Sequence, residues 1–228
     1  MKKLFVAFML VLFVSLPAFA SRGKQIERLE NSADVLKEIM DIPEGSIPKD
    51  LLEKAECIVI IPGLKKAALG IGGDYGRGEL LCRLKDRGWS PPVMVSMTGG
   101  SIGFQLGGTS TDIFLLIMNR KGVGKLLESK VTLGGDASAA AGPKGRTAAA
   151  ATDAQMHAEI LCYARSRGLF AGVSLNGSVL KPSEDDNEDL YGKKIDARVI
   201  LYEGGEMPGE SAKRLVDELN SYSPRGKE

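Results

Sequence analysis

Apolar positions between residues 22 and 41 recur at three- and four-residue steps: Ile26, Leu29, Ala33, Leu36 and Met40, joined by Val35 and Ile39. This spacing predicts an amphipathic helix that Pro43 ends. Pro48 suits a first helical position, and a short helix through Glu56 follows. The pattern then changes. Cys57–Ile61 (CIVII) is a compact apolar strand, and Ile113–Met118 is apolar enough for a strand in the centre of a sheet. Val93–Met97 and Ile195–Leu201 read as further strands, with Trp89 at the start of another. Turns are expected at Pro62-Gly63, Asp86-Arg87-Gly88 and Gly99-Gly100. Lys121–Glu128 and Ser211–Tyr222 read as helices, and Ser183–Asp189 as an acidic loop. A helix is also expected from Thr152. Thr152 and Gln155 have capping-box spacing, Met156, Ile160, Leu161 and Ala164 make its apolar face, and Gly168 is its stop.

Four segments place glycine at short intervals in strand-like sequence: Leu69–Leu81, Gly99–Met118, Leu133–Arg146 and Gly168–Leu180. Glycine weakens a strand, so its repeated use implies bulges, sharp bends or close backbone approach. The expected fold is α+β: a curved, mostly antiparallel, glycine-rich β-sheet, barrel-like, with flanking helices. The spacing is irregular, so no internal repeat is inferred.

Lys2 and Lys3, an apolar run from Leu4 to Leu16 and Ala18-Phe19-Ala20 together read as a signal peptide over residues 1–20. Ser21 follows, so no cysteine stands there for a lipid anchor, and a periplasmic or secreted protein is expected. The expected organisation is this leader, an amphipathic helix over 21–45 and one domain over 46–224. Without the two leader lysines, 28 basic residues face 29 acidic ones, a balance that argues against nucleic-acid binding. Three cysteines remain, an odd number. They are read as buried free thiols, with a Cys57–Cys82 bridge as the alternative. A single histidine, His157, leaves little from which to build a metal or nucleophilic site, and no metal or cofactor is expected.

Two cations in a glycine-rich turn, Lys144 and Arg146 around Gly145, can hold a phosphate head group, and Arg165, Arg167, Lys65 and Lys66 can extend that surface. The alternative for each is an ordinary solvated charge. Ile26, Leu29, Leu36, Ile39 and Met40 can face a membrane or dock on the domain; the near-balanced charge of their helix favours docking. Asp136 and Asp153 are the only acid–base candidates singled out, and neither has a second catalytic group in view.

Ile47-Pro48-Lys49-Asp50-Leu51-Leu52, Ile58–Gly63, Gly70–Gly78, Gly99-Gly100-Ser101, Thr111-Asp112, Leu133-Gly134, Ala141-Gly142-Pro143, Tyr163-x-Arg165-Ser166 and Asn187-x-x-x-Tyr191-Gly192, in this order and spacing, resemble the SYLF domain family. The resemblance implies phospholipid binding, phosphoinositides above all, and actin binding in eukaryotic members, with an N-terminal amphipathic helix engaging membranes. An exported bacterial protein meets neither phosphoinositides nor actin in its own compartment. The leading expectation is therefore a non-catalytic lipid-binding module of the bacterial cell envelope. Its alternative is a structural or protein-interaction domain without lipid ligand, whose partner is an envelope protein.

Overall fold

The computed structural model describes residues 16–42, 46–85, 88–143, 155, 157–166 and 169–224, with backbone alone at 16–20, 67–71, 101–109 and 120–122. Two strands dominate it. β1 (Cys57–Cys82) and β2 (Val93–Ile117) pair antiparallel from Cys57 opposite Ile117 to Leu80 opposite Val93. The turns expected at Pro62-Gly63 and Gly99-Gly100 are not turns. Glycine opposes glycine at Gly70 and Gly103 and again at Gly73 and Gly100. With no side chains on either strand there, the ribbon bends without breaking.

The bend returns β1 onto itself. Lys66 Nζ lies 3.4 Å from Asp74 Oδ2. The Arg83 N–H donates to the Glu56 carbonyl at 2.7 Å. The Cα atoms of Cys57 and Cys82 are 4.0 Å apart and the two sulfurs are bonded. A straight strand of this length would separate its ends by about 85 Å. Each of these pairs is spaced evenly about Gly70, the centre of the fold-back. The free-thiol reading of Cys57 and Cys82 is thereby corrected: neither lies near the other in local sequence, and only the curl joins them. Cys162 is free and buried.

At Gly78 the two arms of β1 come into backbone contact. A Cβ there would lie 1.9 Å from the Ile60 carbonyl oxygen, inside any permitted contact. At the other arm, the register shifts between Ile61 and Leu64, where Pro62 cannot donate to the ladder. Gly63 takes φ +64, and its freed N–H donates to Asp112 Oδ1 at 2.9 Å. Pro62-Gly63 is therefore a bulge within the strand.

Shorter strands extend the sheet from β2. β5 (Ile160–Ser166) pairs antiparallel with residues 112–117, and β7 (Val179–Pro182) with residues 95–98. β3 (Val131–Thr132) lies against β7, β6 (Leu169–Gly172) against β5, and β4 (Ala139–Ala141) runs parallel to β5. The result is a curled half-barrel, mostly antiparallel, with flanking helices.

Three expectations are corrected. Residues 160–166 form β5 and not the end of a helix. Ile160, Leu161, Cys162 and Tyr163 are all buried, and such a run fits a strand covered on both faces as well as a helical stripe. Thr152 lies outside the described residues, and His157 is exposed. The acidic loop is a helix, α4 (Glu184–Tyr191), whose first turn carries Glu184, Asp185 and Asp186 at the positive end of the helix dipole. The late strand is a π-helical turn, Val199–Glu203. Ile200 and Leu201 are both buried in one cluster, which alternating strand geometry would not allow.

The other helices are α1 (Leu16–Met40), α2 (Lys49–Lys54), α3 (Arg120–Glu128) and α5 (Glu210–Tyr222). α1 begins inside the stretch read as leader. Alternation across the sheet divides the core in two. Ile58, Ile60, Met94, Phe114, Leu116, Leu161 and Tyr163 pack under α1, α2, α4 and α5. Val59, Ile61, Val95, Ile113, Leu115 and Cys162 pack with α3, β3, β7 and the π-helical turn. Burial on both faces explains the unbroken apolar runs. Trp89 is a core residue ahead of β2, bridged to Arg83.

Gly78→Ala is expected to cost about 3 kcal/mol or more, since backbone must move to admit one methyl. Gly100→Ala meets nothing within 4 Å and is expected to change stability by less than about 1 kcal/mol. Urea denaturation of the two variants checks the contrast.

Candidate functional site

Lys144, Gly145, Arg146, Arg167 and Asp153 lie outside the described residues. Lys65 is exposed on β1, and Lys66 is paired with Asp74. Arg165 stands on β5 opposite Asp112, and its Nε lies 3.2 Å from Asp112 Oδ2. Its Nη1 also contacts Glu38 of α1. Asp112 in turn accepts the Gly63 N–H. Arg165 thus joins α1, β2 and the β1 bulge. Two carboxylates already meet its charge, which is a positioning arrangement more than an anion site.

The apolar residues singled out on α1 take the docked position. Leu29, Leu36, Ile39 and Met40 are buried in the core and Ile26 is half-buried. α1 and α5 are also linked at the surface, where Arg214 pairs with Asp34 at 2.6 Å and Ser211 donates to Glu30 at 3.0 Å.

A second polar cluster was not foreseen. Buried Asp186 of α4 pairs with Arg77 of β1 at 2.7 Å and accepts from Gln25 of α1 at 2.8 Å and from Ser183 at 2.9 Å. Next to it, Asn187 accepts the Met94 N–H at 2.8 Å and donates to the Ser183 carbonyl at 2.8 Å. The Tyr191 hydroxyl donates to the Pro92 carbonyl at 2.8 Å. Asn187 and Tyr191 thereby fasten α4 to the start of β2. Arg83 is likewise internal. It donates to the Ser223 carbonyl at 2.7 Å and stacks 4.0 Å from the Trp89 ring centroid, tying the C-terminal helix to the sheet. The signal available in sequence was a charged residue set among strand residues, at Arg77, Glu79 and Arg83.

Acid–base candidates are occupied too. Asp136 Oδ2 accepts the Thr132 N–H at 2.8 Å, and that bond, before any charge effect, holds its carboxyl below the ordinary range. It caps a turn. Burial pushes the Cys162 thiol up to about 12, so it stays protonated and unreactive. Among the described residues, no cluster of three His, Cys, Asp or Glu side chains is placed to hold a metal. Glu79 is fully buried, and desolvation raises its pKa to about 8, against the opposing pull of Ser32 and Arg28.

The family profile described as "Ysc84: Las17-binding protein actin regulator" matches residues 98–222. LAS seventeen-binding protein 3 of Saccharomyces cerevisiae is 38% identical over 158 residues, 68% of this chain and 34% of that protein. SH3 domain-containing YSC84-like protein 1 of Mus musculus is 30% identical over 202 residues, 86% of this chain and 59% of its own. The chain therefore spans about a third to three-fifths of the length of these relatives. The SYLF resemblance read from the motifs agrees with these matches.

Asp112→Ala removes both the acceptor for Gly63 and a partner of Arg165, and is expected to cost about 1–3 kcal/mol. Asp112→Asn keeps the neutral acceptor and is expected to cost less. Equal losses for the two in urea denaturation would contradict this role.

Proposed function

Because the chain belongs to the Ysc84 family, we propose that it is a binding module that recognises protein partners by surface contact and carries out no chemistry of its own. The family match over residues 98–222 carries this reading. The family description names Las17 binding and actin regulation, and partners of that kind, proteins and not small substrates, are what the reading transfers.

The site geometry supports it. Asp112, Arg165, Arg77, Asp186 and Asn187 satisfy one another and hold α1 and α4 on the sheet. Their role is rigidity, which lowers the entropy lost when a preformed surface binds. Lipid contact, the other reading, would draw on the apolar face of α1, which is packed into the core, and on Arg165, which is neutralised by carboxylates. We propose further that the protein works outside the cytosol on a protein partner of that compartment, so that actin and Las17 serve below only as probes of the family's binding surface. The Cys57–Cys82 bridge is in keeping with an oxidising compartment, as is the leader read in residues 1–20.

Co-sedimentation of the protein with actin filaments, and its retention on immobilised purified Las17, test the reading. Saturable binding to one of the two is expected, together with no flotation on anionic vesicles. Flotation on vesicles with no binding to either protein would reverse the assignment in favour of lipid.

A further inference from the structure

α1 does not meet the sheet through its apolar stripe alone. Gln25 and Ser32 are buried on the same side, and Arg28 between them is half-buried. Beneath this polar stripe lies Glu79 of β1, fully buried between Arg77 and Leu81 and opposite Met94. Neither Glu79 oxygen has a hydrogen-bond partner of good geometry, and the Ser32 hydroxyl turned toward it has none either. Apart from the Ser32 hydroxyl and the pull of the Arg28 charge, the polar groups around Glu79 are committed elsewhere. Arg28 of α1 donates to Gln25, Arg77 along β1 is held by Asp186 of α4, and Asn187 of α4 is bound to the Met94 backbone. A carboxylate in this position has lost its water and gained no ion pair, whereas a neutral carboxyl is tolerated.

We propose that α1 is a proton-controlled latch, docked on the sheet while Glu79 is protonated and released when Glu79 gives up that proton. Release returns Glu79 to water, where a carboxyl titrates near 4.5, against about 8 when docked. Between those two values the docked state holds a proton that the released state does not. The opening equilibrium therefore rises with pH in that window, about tenfold per unit, and levels off above the docked value. Docking is tightest in acid. The proposal concerns a movement of the fold; because release would bare the apolar face of α1, the vesicle flotation that tests the binding reading is made at pH 5.5, where α1 is docked.

Amide hydrogen exchange of the full chain between pH 5.5 and 8, corrected for intrinsic exchange rates, tests the latch. Opening at α1 amides from Gln25 to Leu36 is expected to increase about tenfold per pH unit, while Val59 and Leu115 in the sheet stay protected. The Glu79 carboxyl, followed by carbon NMR in the same protein, is expected to titrate near 8. Glu79→Gln is expected to flatten the profile and keep α1 docked throughout. An unchanged slope in that variant would overturn the latch. So would sheet amides opening in step with α1, or a carboxyl titrating in the ordinary range; both are read on the wild-type protein, whether or not the variant folds.

Discussion

The structure depends on one contact: β1 meeting itself. A single strand is bent about Gly70 until Gly78 lies on the Ile60 carbonyl and Cys57 bonds to Cys82. β2 follows β1 through the bend by register, so the entire ribbon folds over. The two ends of β2 then offer edges to different strands, β5 at residues 112–117 and β7 at residues 95–98. The half-barrel is thus the consequence of one folded ribbon. The bend leaves both sheet faces covered, one by α1, α2, α4 and α5 and the other by α3 and the π-helical turn.

A sheet covered on both faces has few places for charge, and this fold uses its internal charges as fasteners. Arg165 links the bulge at Gly63 through Asp112 to Glu38 of α1. Asp186 gathers Arg77, Gln25 and Ser183 at the meeting point of β1, α1 and α4. Arg83 fastens the C-terminal end to Trp89. Such contacts fix a shape, and among the described residues they engage the charges that were candidates for acid–base work. Among the described residues Glu79 differs from these, a buried carboxyl with neither oxygen hydrogen-bonded. The membership in a family described by what it binds agrees with a molecule organised in this way.

Much of the architecture was legible in the residues. The helix through Ile26, Leu36 and Met40 shows its spacing openly, and glycine among strand residues announced a curved sheet. Strand length was not legible, because glycine pairs that bend a ribbon look in sequence like glycine pairs that end it. Residues 160–163 misled for a related reason: four consecutive apolar residues satisfy a helical stripe and a doubly buried strand equally well. Ser183–Asp189 read as an acidic loop because nothing local shows that Asp186 and Asn187 meet Arg77 and Met94, each about ninety or more residues away. The Cys57–Cys82 bridge was open in sequence only as the alternative to free thiols, since nothing local shows that the first and last residues of one strand meet. Arg165 was singled out for its charge, but its partners come from β2 and α1, which only the tertiary fold brings together.

The fold-back of β1 is tested most directly by peptide mapping of the unreduced protein. Mass spectrometry is expected to find the Cys57 peptide joined to the Cys82 peptide, with Cys162 carrying a free thiol that alkylates only after denaturation. A bridge from Cys162 to either partner, or Cys57 and Cys82 both alkylated in the native unreduced protein, would contradict a strand closed upon itself.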